Sequence, residues 1–251
     1  MKFRFKAFGL HLLASSVALS SILGALYFGW YRWPGWYLTD VGHVVIVMVS
    51  VDIVLGPLLT LIVARSSKPR RVLARDIAVI VAVQLCALVY GTTSLWSGRP
   101  LYYAYSETLL QLVQAYDIDA KESALGLKQN PGLAPHWYSL PRWVWAPLPQ
   151  NREESVKIIQ SSLFGGDDVI SMPRYFKPWD QGLSVLRTKL KKVDEIARLS
   201  PNDKKKLKEH MAAAGLAVDQ PNGMPVTGRG RVLLAVFDPA SVKIVAIFKA
   251  R

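Results

Sequence analysis

A single carboxylate, Asp52, lies near the middle of an apolar run over residues 41–64 (VGHVVIVMVSVDIVLGPLLTLIVA). At about 1.5 Å of rise per residue, a helix of this length covers roughly 36 Å, which is enough to cross a bilayer with some tilt. An Asp at the bilayer centre costs about 2.5–3.5 kcal/mol, and the surrounding Leu, Ile and Val residues offset that cost. The run therefore predicts a transmembrane helix whose acid is either protonated or paired.

Three roles are open for Asp52. Counted by helical rise, Ser20 and Ser21 on a first apolar run lie at its depth, and Gln84 and Tyr90 on a third run lie within about one turn of it. A hydrogen bond to Ser20, Ser21 or Gln84 would lock three helices together, and this is the role that we expect. The alternatives are a docking point for a polar group on a partner's membrane helix, and an ion or proton path, which needs more titratable neighbours.

No familiar catalytic or metal-binding motif accompanies this acid. The sequence has no nucleophile elbow, P-loop, dinucleotide fingerprint or zinc-protease motif. The adjacent Asp167 and Asp168 lack the regularly spaced oxygen ligands of a calcium loop. The four histidines are scattered over different segments: His11, His43, His136 and His210. We therefore expect a protein without enzymatic activity, metal or cofactor.

The apolar runs divide the chain into two predicted domains. Residues 8–31, 41–64 and 76–97 are each long enough to span a bilayer, so residues 1–97 are predicted to form a three-helix transmembrane domain. The first run reads as an uncleaved signal anchor, because it is too long for a signal peptide and lacks a cleavage site. One of its faces carries small residues, which either allow close helix packing or are simply tolerated: Ala14, Ala18, Ser21 and Ala25.

The positive charge favours one orientation. Residues 65–75 contain five Lys or Arg, and three more precede the first run, whereas residues 30–40 contain only Arg32. The positive-inside rule places the N-terminus in the cytoplasm and residues 98–251 in the periplasm of a bacterium. The net charge is +13. Topology explains the cations of residues 1–97 better than nucleic acid does, and the periplasmic position of residues 98–251 argues against nucleic-acid binding there. The aromatic residues of segment 30–37 are expected at the headgroup layer.

Residues 98–251 are predicted to form an α+β domain with an antiparallel sheet. A strand is expected at 101–105, a hairpin return or a helix at 109–116, and irregular chain over the Pro- and Trp-rich residues 129–150. The predicted helices, which carry their apolar residues on one face, are 151–164, 182–199 and 201–214. A hairpin over 231–249, turning at 238–241, is expected at the centre of the sheet.

Three motifs resemble those of the type IV pilin accessory proteins, the TfpX/TfpZ type that is also called FimB. The first is residues 51–61 (VDIVLGPLLTL), which include Asp52, Gly56 and Pro57. The second is RDI at 75–77 with VQLCALVYG at 83–91, which include Gln84 and Tyr90. The third runs from GGDD at 165–168 to MPRY at 172–175, and its candidate residues are Gly165, Gly166, Asp168, Pro173, Arg174 and Tyr175.

This resemblance implies an inner-membrane factor that helps a particular type IV pilin to accumulate or assemble. Its helices would grip the pilin's membrane helix, and its periplasmic domain would contact the pilin's globular head. The sequence departs from the family at Glu107, Thr108 and Leu109, where relatives often carry an acidic-Arg-Phe turn. The alternative is a membrane-anchored periplasmic sensor or ligand-binding module, which would require a closed apolar pocket and a cytoplasmic output.

The predicted orientation can be tested by cysteine labelling. Lys68→Cys should react only with a reagent applied to the cytoplasmic side, and Lys205→Cys only with one applied to the periplasmic side. Both variants are made in a Cys86→Ala background, because Cys86 is the only native cysteine. Labelling of both positions from one side would contradict the three-span topology.

Overall fold

A computed structural model of the chain describes residues 2–65, 67–106, 109–196, 200–215, 222–238 and 241–249. Their contacts divide the chain into two compact units. The first consists of Met1–Arg32 and Asp40–Arg99, and the second of Trp33–Thr39 and Pro100–Arg251. Seven residues from the connection between the first two apolar helices therefore belong to the second unit.

The helices and strands are numbered in chain order. The helices are α1 (Lys2–Leu26), α2 (Gly35–Leu38), α3 (Gly42–Val49), α4 (Gly56–Val63), α5 (Arg70–Ser97), α6 (Ala120–Gln129), α7 (Arg152–Leu163), α8 (Leu183–Lys189), α9 (Val193–Ile196) and α10 (Pro201–Ala213). The strands are β1 (Pro100–Ser106), β2 (Leu109–Gln114), β3 (Arg142–Trp145), β4 (Lys177–Pro178), β5 (Lys191–Lys192), β6 (Asn222–Gly228), β7 (Arg231–Phe237) and β8 (Ile244–Lys249). Wider π-helical turns occupy Tyr27–Tyr31 and Ser50–Leu55.

The first unit confirms the three long apolar helices. Within the described residues, Lys2–Tyr31, Gly42–Val63 and Arg70–Ser97 are long and apolar enough to cross a membrane. The middle helix is not uniform, because the π-helical turn at Ser50–Leu55 separates α3 from α4. The third helix begins six residues before the predicted start at residue 76, so its first two turns carry Arg70, Arg71 and Arg75.

The second unit contains a mixed sheet, so the predicted antiparallel sheet is only partly right. Eight strands in the described part of the chain run in the order β4-β3-β1-β2-β6-β7-β8, and β5 pairs with β6. Strand β1 pairs parallel with β3, and β2 pairs parallel with β6. Parallel neighbours require long connections. The chain between β1 and its parallel partner β3 contains helix α6. The chain between β2 and its parallel partner β6 contains helices α6 to α10.

Two strands lie where the sequence gave no strand signal. Strand β3 lies within residues 129–150, which were expected to be irregular. Strand β6 contains Pro225, and proline is normally absent from central strands because it has no N–H. On the side opposite β7, β5 pairs with Asn222 and Gly223, and β2 pairs with Val226 and Thr227. Pro225 lies between these two pairings, so the sheet tolerates it.

The predicted helices 151–164 and 201–214 are confirmed as α7 and α10. Asn151 caps α7 by accepting hydrogen bonds from the N–H groups of Glu153 and Glu154, and Ser200 caps α10 by accepting one from Asp203. The expected apolar stripe of α7 is mostly exposed: Val156, Ile159 and Leu163 face outward, and Ile158 is the buried residue.

The prediction of a single continuous helix over residues 182–199 is wrong, and the first helix in this range is α8. It ends at Lys189, and Leu190 is extended, because Lys191 and Lys192 pair with Gly223 and Asn222 of β6. Helix α9 follows, and the predicted end at residues 197–199 lies outside the described residues. The same holds for the turn residues Glu107 and Thr108, and for Pro239 and Ala240. The hairpin alternative for 109–116 is confirmed by the β1–β2 pairing.

Both faces of the sheet are covered. On one face, Tyr103 and Tyr105 of β1 belong to a cluster that also contains Leu233 of β7. On the other, Tyr102 and Ala104 pack with residues that precede and follow α7. Strand β7 is buried almost throughout and lies between β6 and β8, as expected of an interior strand. Its hairpin partner β8 is the last strand of the sheet order. The hairpin was expected at the centre of the sheet, and only its first strand, β7, lies there.

The segment Trp33–Thr39 is part of the core of the second unit rather than only an interfacial loop. Leu38 is fully buried and packs in the cluster of Tyr103, Tyr105 and Leu233. Its carbonyl oxygen lies so close to Gly228 that a Cβ there would approach it to 2.8 Å. Leu38 lies just beyond segment 30–37, whose Trp33 and Trp36 are exposed, so the headgroup position expected for that segment stays a prediction.

We expect Leu38→Ala to destabilise the second unit by about 2–5 kcal/mol, because it leaves a cavity in a closed core. Leu140→Ala is the matched control, since the same change is made on a side chain that is 58% exposed. Denaturant unfolding of the full chain in detergent, followed by tryptophan fluorescence, would measure both. Equal, small effects would show that Leu38 is not a core residue.

Candidate functional site

A cleft of about 220 Å³ opens between the helices of the first unit. Its walls are largely apolar and come from α1, the π-helical turn and α5. The lining residues are His11, Ala14, Ser15, Ala18, Leu19, Asp52, Val81, Gln84, Leu85 and Leu88. Asp52 and Gln84 give this apolar cleft a polar centre.

The π-helical turn explains why Gln84 lies beside Asp52. The N–H of Gly56 donates to the carbonyl of Val51, five residues earlier. In the same register the next N–H would pair with the carbonyl of Asp52, but residue 57 is a proline and has none. The Gln84 Nε2 atom donates to that carbonyl instead, at 3.0 Å. A neighbouring helix thus satisfies the buried backbone group that Pro57 frees.

Gly56 makes this contact sterically possible. A Cβ at position 56 would collide with the side-chain amide of Gln84. Gly56, Pro57 and Gln84 therefore act together, the first by leaving room, the second by freeing a carbonyl, and the third by supplying the donor. Gly56 and Pro57 are both buried.

The carboxyl group of Asp52 is buried and incompletely paired. The residue is 4% exposed, and among the described residues its Oδ2 atom has no hydrogen-bond partner. The Oε1 atom of Gln84 is likewise buried without a partner in the described part of the chain. Both atoms accept hydrogen bonds. The cleft therefore contains two acceptors that require donors, and a buried unsatisfied polar group costs about 1–3 kcal/mol.

The other residues predicted at the depth of Asp52 point elsewhere. Ser20 and Ser21 are exposed on α1, and the Ser21 hydroxyl donates to the carbonyl of Val17 on its own helix. Tyr90 is 77% exposed. Of these candidate partners, the structure brings only Gln84 to Asp52. The Gln84 Nε2 atom donates to the backbone carbonyl, and the two side chains are also hydrogen-bonded.

Sequence reasoning missed His11. Its Nδ1 atom lies 2.6 Å from the Thr60 hydroxyl oxygen, a hydrogen bond that joins α1 to α4. His11 also lines the cleft. The available signal was a polar residue inside the first apolar run. The histidines were considered only as metal ligands, and this one instead joins two helices.

The small residues of α1, which either allow close helix packing or are simply tolerated, are exposed in the part of the chain that the structure describes. Ala14, Ala18, Ser21 and Ala25 are all exposed, and Ala14 and Ala18 line the cleft. By contrast, Gly91 of α5 is in close contact with the side chain of Met48. The three helices therefore pack tightly around Met48, while the small-residue face of α1 stays open beside Asp52.

Contacts elsewhere in the first unit hold this cleft open. The hydroxyl of Tyr31 donates to the carbonyl of Leu95 at 2.7 Å in a buried position, and the rings of Trp30 and Trp96 pack edge to face. The hydrogen bond between His11 and Thr60 joins α1 to α4 on the other side of Asp52. The cleft is thus a gap between helices that are fastened on both sides of it.

The third motif forms a clamp in the second unit. The guanidinium of Arg174 lies 3.4 Å from a carboxylate oxygen of Glu122 on α6; the Glu122 side chain is buried and that of Arg174 is partly buried. Burial raises the pKa of Glu122, and the nearby Arg174 opposes that shift. Pro173 packs against Gly126 of the same helix, where a Cβ would approach it to 2.9 Å.

The remaining motif residues have structural contacts of the same kind. The Tyr175 hydroxyl donates to the Glu154 carboxylate of α7. Gly165 has φ of +78°, which suits glycine just after a helix. Asp168 accepts a hydrogen bond from the Ser162 hydroxyl at 2.9 Å, and Gly166 lies close to Ser161. Within the described residues, no three His, Cys, Asp or Glu side chains are grouped to hold a metal.

The chain is distantly similar to fimbrial assembly proteins of Dichelobacter nodosus. It is 23% identical over 241 residues to the protein of serogroup E1, and 22% identical over 241 residues to that of serogroup I; each alignment covers 94% of this chain and 91% of the relative. A 26% match over 116 residues to the protein of serogroups C1 and C2 covers 46% and 88%. No protein-family profile matches, and no solved structure does. The similarity to fimbrial assembly proteins thus extends over nearly the whole chain.

We expect Arg174→Ala to destabilise the second unit by about 3–5 kcal/mol, because it leaves the Glu122 charge buried and unpaired. The double variant Glu122→Leu/Arg174→Met should recover most of that loss, since it removes both charges. Denaturant unfolding of the full chain in detergent would compare them. A double variant as unstable as Arg174→Ala would contradict the role of the ion pair.

Proposed function

We propose that this chain is an inner-membrane accessory factor for type IV pilus assembly, of the TfpX/TfpZ type, that binds a pilin and stabilises it. Its similarity to proteins named for fimbrial assembly supports the general role. The observation that carries the binding role is the cleft around Asp52, with its two acceptors that lack donors. The proposed mechanism is binding alone, without enzymatic activity or a cofactor.

The occupant that fits this cleft is a membrane helix with a hydrogen-bond donor in its apolar surface. Ala14 and Ala18 allow another backbone to approach α1 closely, as small residues do in lipid. The apolar walls suit aliphatic side chains, and Asp52 Oδ2 and Gln84 Oε1 can accept from the donor. A cationic donor compensates a buried carboxylate best. The membrane helix of a pilin is the proposed occupant.

Gln84 makes the interhelical contact that the sequence suggested for Asp52, through both the carbonyl and the side chain of residue 52. Docking is proposed as an additional role of the carboxylate oxygen that is left without a donor among the described residues. Gln84 already joins the helices through the backbone carbonyl of residue 52, a contact that does not require a carboxylate. The side chain of Asp52 therefore has Oδ2 available for a partner. The ion-path alternative gains no support, because the titratable groups lining the cleft are only His11 and Asp52.

The proposed orientation agrees with the division into units. Because Trp33–Thr39 packs within the second unit, the first interhelical connection and residues 100–251 lie on the same side of any membrane that the helices cross. The cation-rich residues 65–75 then lie on the other side, which the positive-inside rule makes cytoplasmic. We propose the periplasm for the second unit on this basis.

The sensor alternative is less well supported. It requires a closed apolar pocket in the second unit, whereas two of the clefts there are lined more by polar than by apolar groups. One of about 380 Å³, for example, is bordered by Asp117, Asp168 and Arg229.

We expect Asp52→Leu to abolish pilin stabilisation while the accessory factor itself stays at normal abundance, because the change removes both carboxylate oxygens but not the carbonyl bound by Gln84. Asp52→Asn should also fail, since a cationic donor loses its counter-charge. Gln84→Leu should instead lower the abundance of the factor, by removing an interhelical hydrogen bond worth about 1 kcal/mol. Immunoblots of both proteins in cells measure these effects.

Tyr90→Leu is the control, because Tyr90 lies on the same helix as Gln84 but is exposed. It should leave both proteins at normal levels. Normal pilin abundance in the Asp52→Leu strain would contradict the docking role. Loss of the factor itself in that strain would show that Asp52 is structural after all.

A further inference from the structure

The edge of the sheet at β8 carries a protective charge at one end of the strand, Lys249, but no charge or proline over residues 244–248. In the described part of the chain, β8 pairs with β7 alone, so its other side carries unpaired backbone groups. Residues 244–248 (IVAIF) form an uninterrupted apolar run, and four of the five are only partly buried. Natural edge strands are usually blunted by charges or proline within the strand. An apolar edge of this kind therefore calls for a covering strand.

A basic groove of about 660 Å³ runs beside this edge. Its floor and one wall come from β8, and its other wall comes from α10, with Trp33 at the rim. The lining residues are Trp33, Ser200, Asn202, Asp203, Lys206, His210, Ala246, Ile247, Phe248 and Lys249. Its acid, Asp203, lies in the first turn of α10 and accepts a hydrogen bond from the hydroxyl of the capping Ser200. The groove also has the ammonium groups of Lys206 and Lys249, and that of Lys249 lies 4.7 Å from the centroid of the Tyr37 ring.

We propose that β8 binds an extended acidic segment of a partner protein, which adds a strand to the sheet. Backbone pairing along β8 would supply affinity without demanding a particular sequence. Lys206 and Lys249 would select acidic side chains, since complementary charge favours one partner over others. A second copy of this chain is disfavoured as the occupant, because pairing two β8 strands would bring two basic rims together.

The identity of that partner rests on the proposed function: we infer that the segment belongs to the globular head of the pilin. The inference deepens the earlier proposal, because it gives the second unit a contact of its own. Binding at β8 would not involve Asp52, which lies in the first unit. The two contacts can therefore be lost separately.

The experiment uses the full chain in nanodiscs and, as the probe, a pilin head that lacks its membrane helix. Lys206→Glu should weaken binding of the head at least about tenfold, because it places like charges together. Lys204→Glu is the matched control: it makes the same change on an exposed residue of α10 that does not line the groove. Residues two positions apart on a helix differ by about 200° in direction, so Lys204 faces away from the groove. Asp52→Leu should not affect binding of the head.

Hydrogen exchange on the same samples tests strand addition. Bound head should slow exchange of the amides in residues 244–249, and Lys206→Glu should abolish that protection. Equal losses in the two lysine variants, or binding without protection of β8, would overturn the proposal. So would protection that depends only on the concentration of the accessory chain, because a second copy would then be the occupant.

The outcome also separates the two proposals. Binding of full-length pilin but not of the isolated head would overturn the β8 site and leave the cleft proposal intact. If the head bound and Asp52→Leu had no effect on the binding of full-length pilin, the cleft proposal would be overturned and the β8 site would stand. If neither form of pilin bound, both would be overturned.

Discussion

The first unit depends on the hydrogen bond from Gln84 Nε2 to the carbonyl of Asp52. In lipid no water can satisfy a backbone group, so the carbonyl that Pro57 leaves without a donor must be paired within the protein. Gln84 supplies the donor from α5, and Gly56 leaves it the space. This bond permits a π-helical turn in mid-span, and that turn carries Asp52 into the cleft. Turns of this type are frequent at functional sites because they redirect a single side chain.

The same arrangement leaves acceptors in the cleft without donors. The carbonyl is satisfied, but Asp52 Oδ2 and Gln84 Oε1 are not, within the residues that the structure describes. At about 1–3 kcal/mol for each buried unsatisfied group, this is a large fraction of the stability of a typical domain. Departures from full polar satisfaction are expected at functional sites, where an occupant removes the penalty. The tight packing of Gly91 on Met48, beside the open face at Ala14 and Ala18, fits that interpretation.

Much of this could be predicted from the sequence, because apolar length identifies spans and helical rise gives depth. The helical rise per residue placed Gln84 near the depth of Asp52, but it placed Ser20 and Ser21 there equally well. The rise gives the depth of a residue and not the direction of its side chain. The acceptor role of the carbonyl at 52 depends on the π register, which has no recognised sequence signal. In the second unit, α7 and α10 were readable from their caps. Strand β6 was not, because Pro225 is tolerated only where β5 ends and β2 begins.

The two proposed contacts are complementary in charge, and this constrains the partner more than either does alone. The cleft offers acceptors and a carboxylate, so the partner must bring a donor in its membrane helix. The groove beside β8 offers lysines and unpaired backbone, so the partner must bring acids on an extended segment of its head. Two modest contacts carried by one chain can reinforce each other, because the first raises the effective concentration for the second. Either contact alone can remain weak. That combination would suit the proposed role, because a client held by two weak contacts is bound firmly and is still released once one contact is displaced.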